Sequence, residues 1–247
     1  MNKVLLVGAT GATGQHLMRQ LLNREIKVRA IVRDRQRLPE DLRDHPLAEL
    51  IEASVTDMSD ADVSSAVSGC DGIASCLGHT LSFKGIYGHP RRLVTDTIQR
   101  LCSAATQNSL GTLTKCVLMN TTGNRNRDLK EEISFAQKCV IGLLRLLLPP
   151  HVDNEEAADH LRTQYAGDHP SIQWVVVRPD GLVDHEEVSV YETYPSPIRS
   201  AIFDAGKTSR INVAHFMAQL LTDEPLWQQW QGQMPVIYNR EDQQAET

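Results

Sequence analysis

Short apolar runs alternate with helically spaced apolar residues along most of this chain. Val4-Leu5-Leu6-Val7 predicts a buried strand, and from Thr13 the residues Leu17, Met18, Leu21 and Leu22 recur at helical spacing. Residues 27–32 predict a second strand, 34–44 a short polar helix or turn, and 47–54 a third strand. A helix over 58–69 follows, capped by Ser59 or Asp60 and stopped by Gly69, and then a fourth strand over 70–78. Pro90 suits the first turn of a helix whose buried face is Leu93, Val94, Ile98, Leu101, Cys102 and Ala105. Residues 114–120 predict strand five, 127–148 a long helix closed by Pro149-Pro150, 153–167 another helix and 172–179 strand six. Such alternation predicts an α/β fold with a doubly wound parallel sheet covered on both faces. The strands at 4–7, 27–32, 72–77, 115–119 and 172–178 are then neighbours.

After Pro179 the rhythm breaks into a polar, irregular stretch, 180–210, before a helix over 212–223 and a last strand at 234–239. Ligands of such sheets bind beyond the carboxyl ends of the strands. Residues 180–247 are therefore expected to form a smaller substrate-side region within a single domain, 1–247, with the loop 79–89 on the same side and 240–247 a frayed tail.

The formal charge of −6, with no basic cluster, disfavours a nucleic-acid partner. The five cysteines show no CxxC pairing and are expected as reduced thiols. No metal-ligand spacing occurs among the histidines. The most apolar stretch, Val140–Pro150, carries Arg145 and is too short to span a membrane. It is read first as a buried helix end and second as a subunit interface, so the chain is expected as a cytoplasmic monomer or homodimer.

Three glycines, Gly8, Gly11 and Gly14, stand where the first strand gives way to the first helix. Gly8 supplies positive φ, Gly11 leaves room for a diphosphate, and Gly14 permits close packing of helix on strand. The first-turn N–H groups of that helix and its dipole favour an anion, with Thr10, Ala12 and Thr13 in the same turn. The second strand ends in Arg33-Asp34, with Arg37 close behind. A guanidinium fork suits the 2′-phosphate of NADP. Asp34 is the argument for NAD, and it can equally cap the next helix.

The segments GATGATG, VRDRQRL, SVTDMSD, WVVVRPDGL and SRINVAHFMAQLLTDEPLWQQW together resemble the atypical short-chain dehydrogenase/reductases, within them the NmrA-like, NAD(P)H-binding branch. The resemblance implies a Rossmann sheet, with Asp57 near the adenine, Leu77 and Gly78 along the ribose, and the segment after Pro179 near the nicotinamide. It also implies a Tyr-x-x-x-Lys pair, which no tyrosine here provides. On the corresponding helix His151 takes the tyrosine position and Glu155 the lysine position, where a carboxylate raises a neighbouring pKa instead of lowering it. Asp153-x-x-Glu156 has the form of a capping box. Thr121 or Thr122 replaces the serine that ends strand five, as a cofactor or carbonyl contact or as a turn residue.

His79 and His151 remain as candidate proton donors beside Thr122. Two readings follow. One is an NADPH-dependent reductase of a small acceptor such as a flavin or quinone, which takes hydride without a positioned protein acid. The other is a non-catalytic NADP(H)-binding sensor acting through a protein partner.

Overall fold

The strand β1 (Lys3–Val7) builds both layers of the fold. Successive side chains of a strand point to opposite faces. Val4 and Leu6 enter one apolar cluster with Leu17, Phe216 and Met217, and Leu5 and Val7 enter a second with Ile98, Leu101 and Leu161. Burial on both faces explains the unbroken apolar run, and each such side chain contributes ~1.5–3 kcal/mol.

The computed structural model describes residues 1–79, 86–109, 111–129, 131 and 134–240. Its further strands are β2 (Lys27–Val32), β3 (Ala48–Glu52), β4 (Gly72–Ser75), β5 (Thr114–Met119), β6 (Ile172–Pro179), β7 (Gly181–Val183), β8 (Tyr191–Tyr194), β9 (Lys207–Ser209) and β10 (Val236–Asn239). Eight of them form one sheet in the order β3-β2-β1-β4-β5-β6-β10-β8, parallel except for the antiparallel β10–β8 pair. The helices are α1 (Ala12–Leu22), α2 (Glu40–Arg43), α3 (Asp60–Val67), α4 (Leu93–Asn108), α5 (Phe135–Leu147), α6 (Pro149–Gln164), α7 (Arg210–Thr222) and α8 (Glu224–Trp230). One face of the sheet carries α1, α7 and α8, and the other carries α3, α4 and α6. This is the doubly wound α/β arrangement expected, with the glycine turn at the carboxyl edge of the parallel strands.

Four local expectations need correction. Pro149 follows the end of α5 as expected but also opens α6, which starts there and not at 153, at a position where its missing N–H costs nothing. Asp153 therefore lies in the second turn of α6 and forms no capping box there. Helix α4 starts at Leu93, after Pro90, and its N-cap residue Arg92 supplies no side-chain cap. The cap comes from Asp153 instead, whose carboxylate accepts from the N–H groups of Val94 and Thr95 at 2.8 and 2.9 Å. Finally, α5 is not buried: Phe135 is 81% exposed, Leu146 79% and Leu143 53%. The stretch after Pro179 is also more regular than expected, since β7 pairs with β9 and β8 extends the main sheet. Most of the loop expected over 79–89 and of the tail lies outside the described residues.

The most demanding buried group is Arg178, fully enclosed in β6. Its guanidinium donates to both carboxylate oxygens of Glu131, at 2.7 and 3.1 Å, and to the carbonyls of Met234, Asn124 and Pro195. All five donors are thus matched. Removing one partner of a buried pair costs about 3–5 kcal/mol because the other charge is left unanswered. Glu131→Gln should lower stability by that amount in urea unfolding. Asp41→Asn, which breaks the exposed pair with Arg19, should leave the midpoint nearly unchanged.

Candidate functional site

The glycine turn has two kinds of glycine. Gly8 sits at φ +81°, and a Cβ there would stand 2.5 Å from the Cys76 carbonyl carbon; a Cβ on Gly14 would stand 2.1 Å from the Gly8 carbonyl oxygen. Both are dictated by the turn itself, which lets α1 start directly off β1. Gly11 is different: a Cβ there would meet only the Gly8 oxygen, at 3.3 Å, and the residue is exposed on the wall of a cleft of about 130 Å³. Gly11 is also the N-cap of α1 and brings no side-chain acceptor to the first-turn N–H groups. An open backbone beside uncapped N–H donors fits a diphosphate.

The same cleft gathers residues far apart in sequence: Gly8, Thr10 and Gly11 from the turn, Arg33 and Arg37 after β2, and Leu77 and Gly78 after β4. Ala53, Ser54 and Val55, after β3, close it. Ala12, Thr13 and Gly14 lie in the first turn of α1 behind it. Asp34 accepts from the Gln36 N–H at 2.9 Å and caps a single 3-10 turn. The Arg33 and Arg37 guanidinium groups make no hydrogen bond or ion pair among the described residues. Asp57 is exposed, beside the Thr56 hydroxyl at 3.2 Å, and does not line the cleft.

A second cavity, of about 490 Å³, opens beyond β5. Thr122 and Gly123 form part of its wall, and segments 134–141 and 196–203 form most of the rest. The two threonines divide their roles. Thr121 accepts the Gly123 N–H at 3.2 Å, as a turn residue does. Thr122 is buried and lines the cavity, and its hydroxyl favours the charged form of Asp180, the residue that follows β6. Burial pushes the Asp180 carboxyl up, against the opposing effect of the Gly206 N–H at 2.8 Å and the Thr122 hydroxyl.

Both candidate histidines lie beside carboxylates of α6, but only His79 is hydrogen-bonded to one; the buried His151 Nε2 has no hydrogen-bond partner among the described residues. His79 Nε2 lies 2.7 Å from Asp153 Oδ2, and both side chains are almost wholly enclosed. Burial would raise the Asp153 carboxyl, but His79 and the capped N–H groups outweigh it and hold it down. His151 Nε2 lies 3.4 Å from Glu155 Oε1, with its ring over Gly123. Neither histidine lines the cleft or the second cavity. Among the described residues no cluster of His, Cys, Asp and Glu is arranged to hold a metal, and no helix is long and apolar enough to cross a membrane.

Sequence reasoning missed Asp180, Asp153 as the partner of His79, and Arg125 on the wall of the second cavity. Asp180 carried a usable signal, a lone carboxylate at the carboxyl end of a strand. Asp153 meets His79 across 74 positions of the chain, and the place of Arg125 on a cavity wall is set by the fold, so neither carries one.

Glu155 gives the site a pH dependence. Burial would raise its carboxyl, but His151 and the two-pronged Arg145 contact, at 2.8 and 2.9 Å, bring it down to about 2. A carboxyl depressed by folding stabilises the native state above its ordinary value of 4.5 and loses that contribution as pH falls toward 2. With Arg145 partly exposed, the loss should be roughly 2–3 kcal/mol. Stability measured from pH 5 to pH 2 should fall less steeply in Glu155→Gln than in the unchanged protein.

The sequence pattern of the NAD(P)H-binding family matches residues 8–224. A short-chain dehydrogenase/reductase from Veillonella parvula in complex with NADP superposes with a TM-score of 0.67 at 17% identity, over 96% of this chain and 94% of that one. A candidate NADH-flavin reductase from Streptococcus pneumoniae gives 0.66 at 15% identity, over 97% and 100%. A chloroplastic protein of Arabidopsis thaliana is 40% identical over 58 residues, 24% of this chain and about a fifth (21%) of that protein's length. The chain belongs to the NAD(P)H-binding family and has the Rossmann-like α/β fold of these structures.

Proposed function

We propose that this protein is an NADPH-dependent reductase of a small acceptor. The observation that carries this reading is the second cavity, which opens on the same sheet edge as the glycine-turn cleft. A protein that only senses its cofactor has no need of a second small-molecule cavity. Gly11 and the first turn of α1, with Thr10, Ala12, Thr13 and Gly14, would hold the diphosphate, and Leu77 and Gly78 would flank the ribose. Thr121 is the further candidate contact beyond β5. Arg33 and Arg37 would answer a 2′-phosphate, since no described carboxylate pairs with them while Asp34 caps its own turn. NADPH, when bound, supplies the hydride. The protein supplies orientation and a pocket for the acceptor.

Neither histidine has the standing of a general acid: His79 is committed to Asp153, and neither His79 nor His151 lines the cleft or the second cavity. The reading therefore favours acceptors such as flavins and quinones over those that need a carbonyl oxygen protonated by the protein. The second reading, a redox sensor with a protein partner, draws support from the exposed apolar face of α5.

A steady-state NADPH oxidation screen over flavins, quinones and aldehydes tests the choice. Turnover should be fastest with the first two classes, and His79→Gln and His151→Gln should each cost less than the ~10²-fold expected of a true general acid. Tight NADPH binding with no turnover on any acceptor would give the sensor reading instead. For the cofactor, Arg33→Ala should weaken NADPH by roughly 1.5–3 kcal/mol and leave NADH unchanged. Equal losses would remove Arg33 from the 2′-phosphate.

A further inference from the structure

Arg125 lines the second cavity with a guanidinium that the protein leaves largely unanswered. One terminal nitrogen donates to the Glu131 carbonyl, while the buried Nε has no partner among the described residues. A buried N–H without an acceptor costs free energy that a ligand can recover. The obvious internal acceptor is already taken: the Glu131 carboxylate, the only one among the described lining residues, accepts from Arg178 through both oxygens and from the Asn126 N–H at 2.8 Å. The other lining arginine, Arg199, is paired with Asp204 at 2.8 Å. Close by, the Gln137 side chain accepts from Ser200 but donates its amide nitrogen to no described residue. The cavity wall therefore holds one unpaired positive charge and spare N–H donors, and no unpaired negative charge among its described residues.

From this we infer that the acceptor is anionic, with a carboxylate or phosphate group bound by Arg125 and a reducible part lying toward Thr122. The inference rests on the reductase reading and adds the chemical class of the substrate. An uncharged quinone would leave Arg125 as it stands, whereas an oxyanion accepts its free N–H groups in charge-assisted hydrogen bonds.

The test uses probe pairs that differ only in the anionic group. FMN and riboflavin share one ring system and differ by a phosphate; phenylpyruvate and its methyl ester differ by a carboxylate charge. Affinities for the full-length protein are measured directly, by flavin fluorescence anisotropy and by calorimetry, so the outcome does not depend on turnover. The anionic member of at least one pair should bind about tenfold or more tightly than its neutral partner. Arg125→Gln should erase that preference, and Arg125→Lys should keep part of it. Preference for FMN alone identifies a phosphate-bearing acceptor, and for phenylpyruvate alone a carboxylate-bearing one. Equal affinity within both pairs, no binding of any probe, or a preference that survives Arg125→Gln would overturn the inference. Selective anion binding without NADPH oxidation would instead defeat the reductase reading and leave the anion site standing.

Discussion

The enclosure of the Arg178 charge is the constraint on which the carboxyl side of β5 and β6, with its second cavity, hangs. A guanidinium in the middle of a buried strand is expensive unless every donor finds an acceptor. Here the acceptors come from four places: the turn after β5, the segment before α5, the segment after β8 and the residue that leads into β10. Strands β6, β10 and β8 are already laddered at this point, with Val236 opposite both Arg178 and Tyr194, and the ion pair ties the irregular segments around Asn124 and Glu131 to them. The cavity that they enclose inherits its shape from this arrangement. Because Glu131 is held there, it cannot neutralise Arg125, whose guanidinium hydrogen-bonds only the Glu131 backbone among the described residues. The positive character of the cavity wall thus follows from a stability requirement one layer deeper.

The helix α6 shows a related transfer of duty. In the family that the chain resembles, this helix would bring a tyrosine and a lysine to the reaction. Here its polar residues are engaged elsewhere: Asp153 caps α4 and holds His79, while Glu155 binds Arg145 and faces His151. A carboxylate that closes a neighbouring helix and fixes a loop histidine joins three elements through one side chain, and Thr95 adds a hydrogen bond to the Asp153 carbonyl at 2.8 Å. The edge of the sheet is held rigid by groups that are then committed. In the reductase proposed above, chemistry at this edge would rest on the cofactor and on the second cavity.

Much of this was legible in the sequence because it depends on local pattern. Apolar runs such as Val4–Val7 and Val175–Val177 read as strands buried on both faces, and the glycines stood between a strand and a helix as the turn demands. What the pattern concealed depends on distant partners. The spacing from Asp153 to Glu156 imitates a helix start, yet Asp153 serves a helix some sixty residues earlier in the chain. The apolar residues of α5 suggested burial, but periodicity reports that a helix has an apolar face and not that anything covers it. Thr121 and Thr122 were equivalent in the sequence, and only the fold distinguishes them, giving Thr121 to the turn and Thr122 to the cavity wall.

The two kinds of glycine in the first turn have a consequence for how such motifs are read as signatures. Gly8 and Gly14 are required by backbone contacts within the protein, at 2.5 and 2.1 Å from where a side chain would begin. A descendant that abandoned its cofactor would still have to keep both in order to fold. Gly11 is under no comparable pressure, because an alanine there asks only that the Gly8 carbonyl give by a few tenths of an ångström. In a lineage drifting away from nucleotide chemistry, the outer glycines would persist as fossils of the turn. The middle one would be the first to change, and its identity is the part of the motif that reports on a ligand.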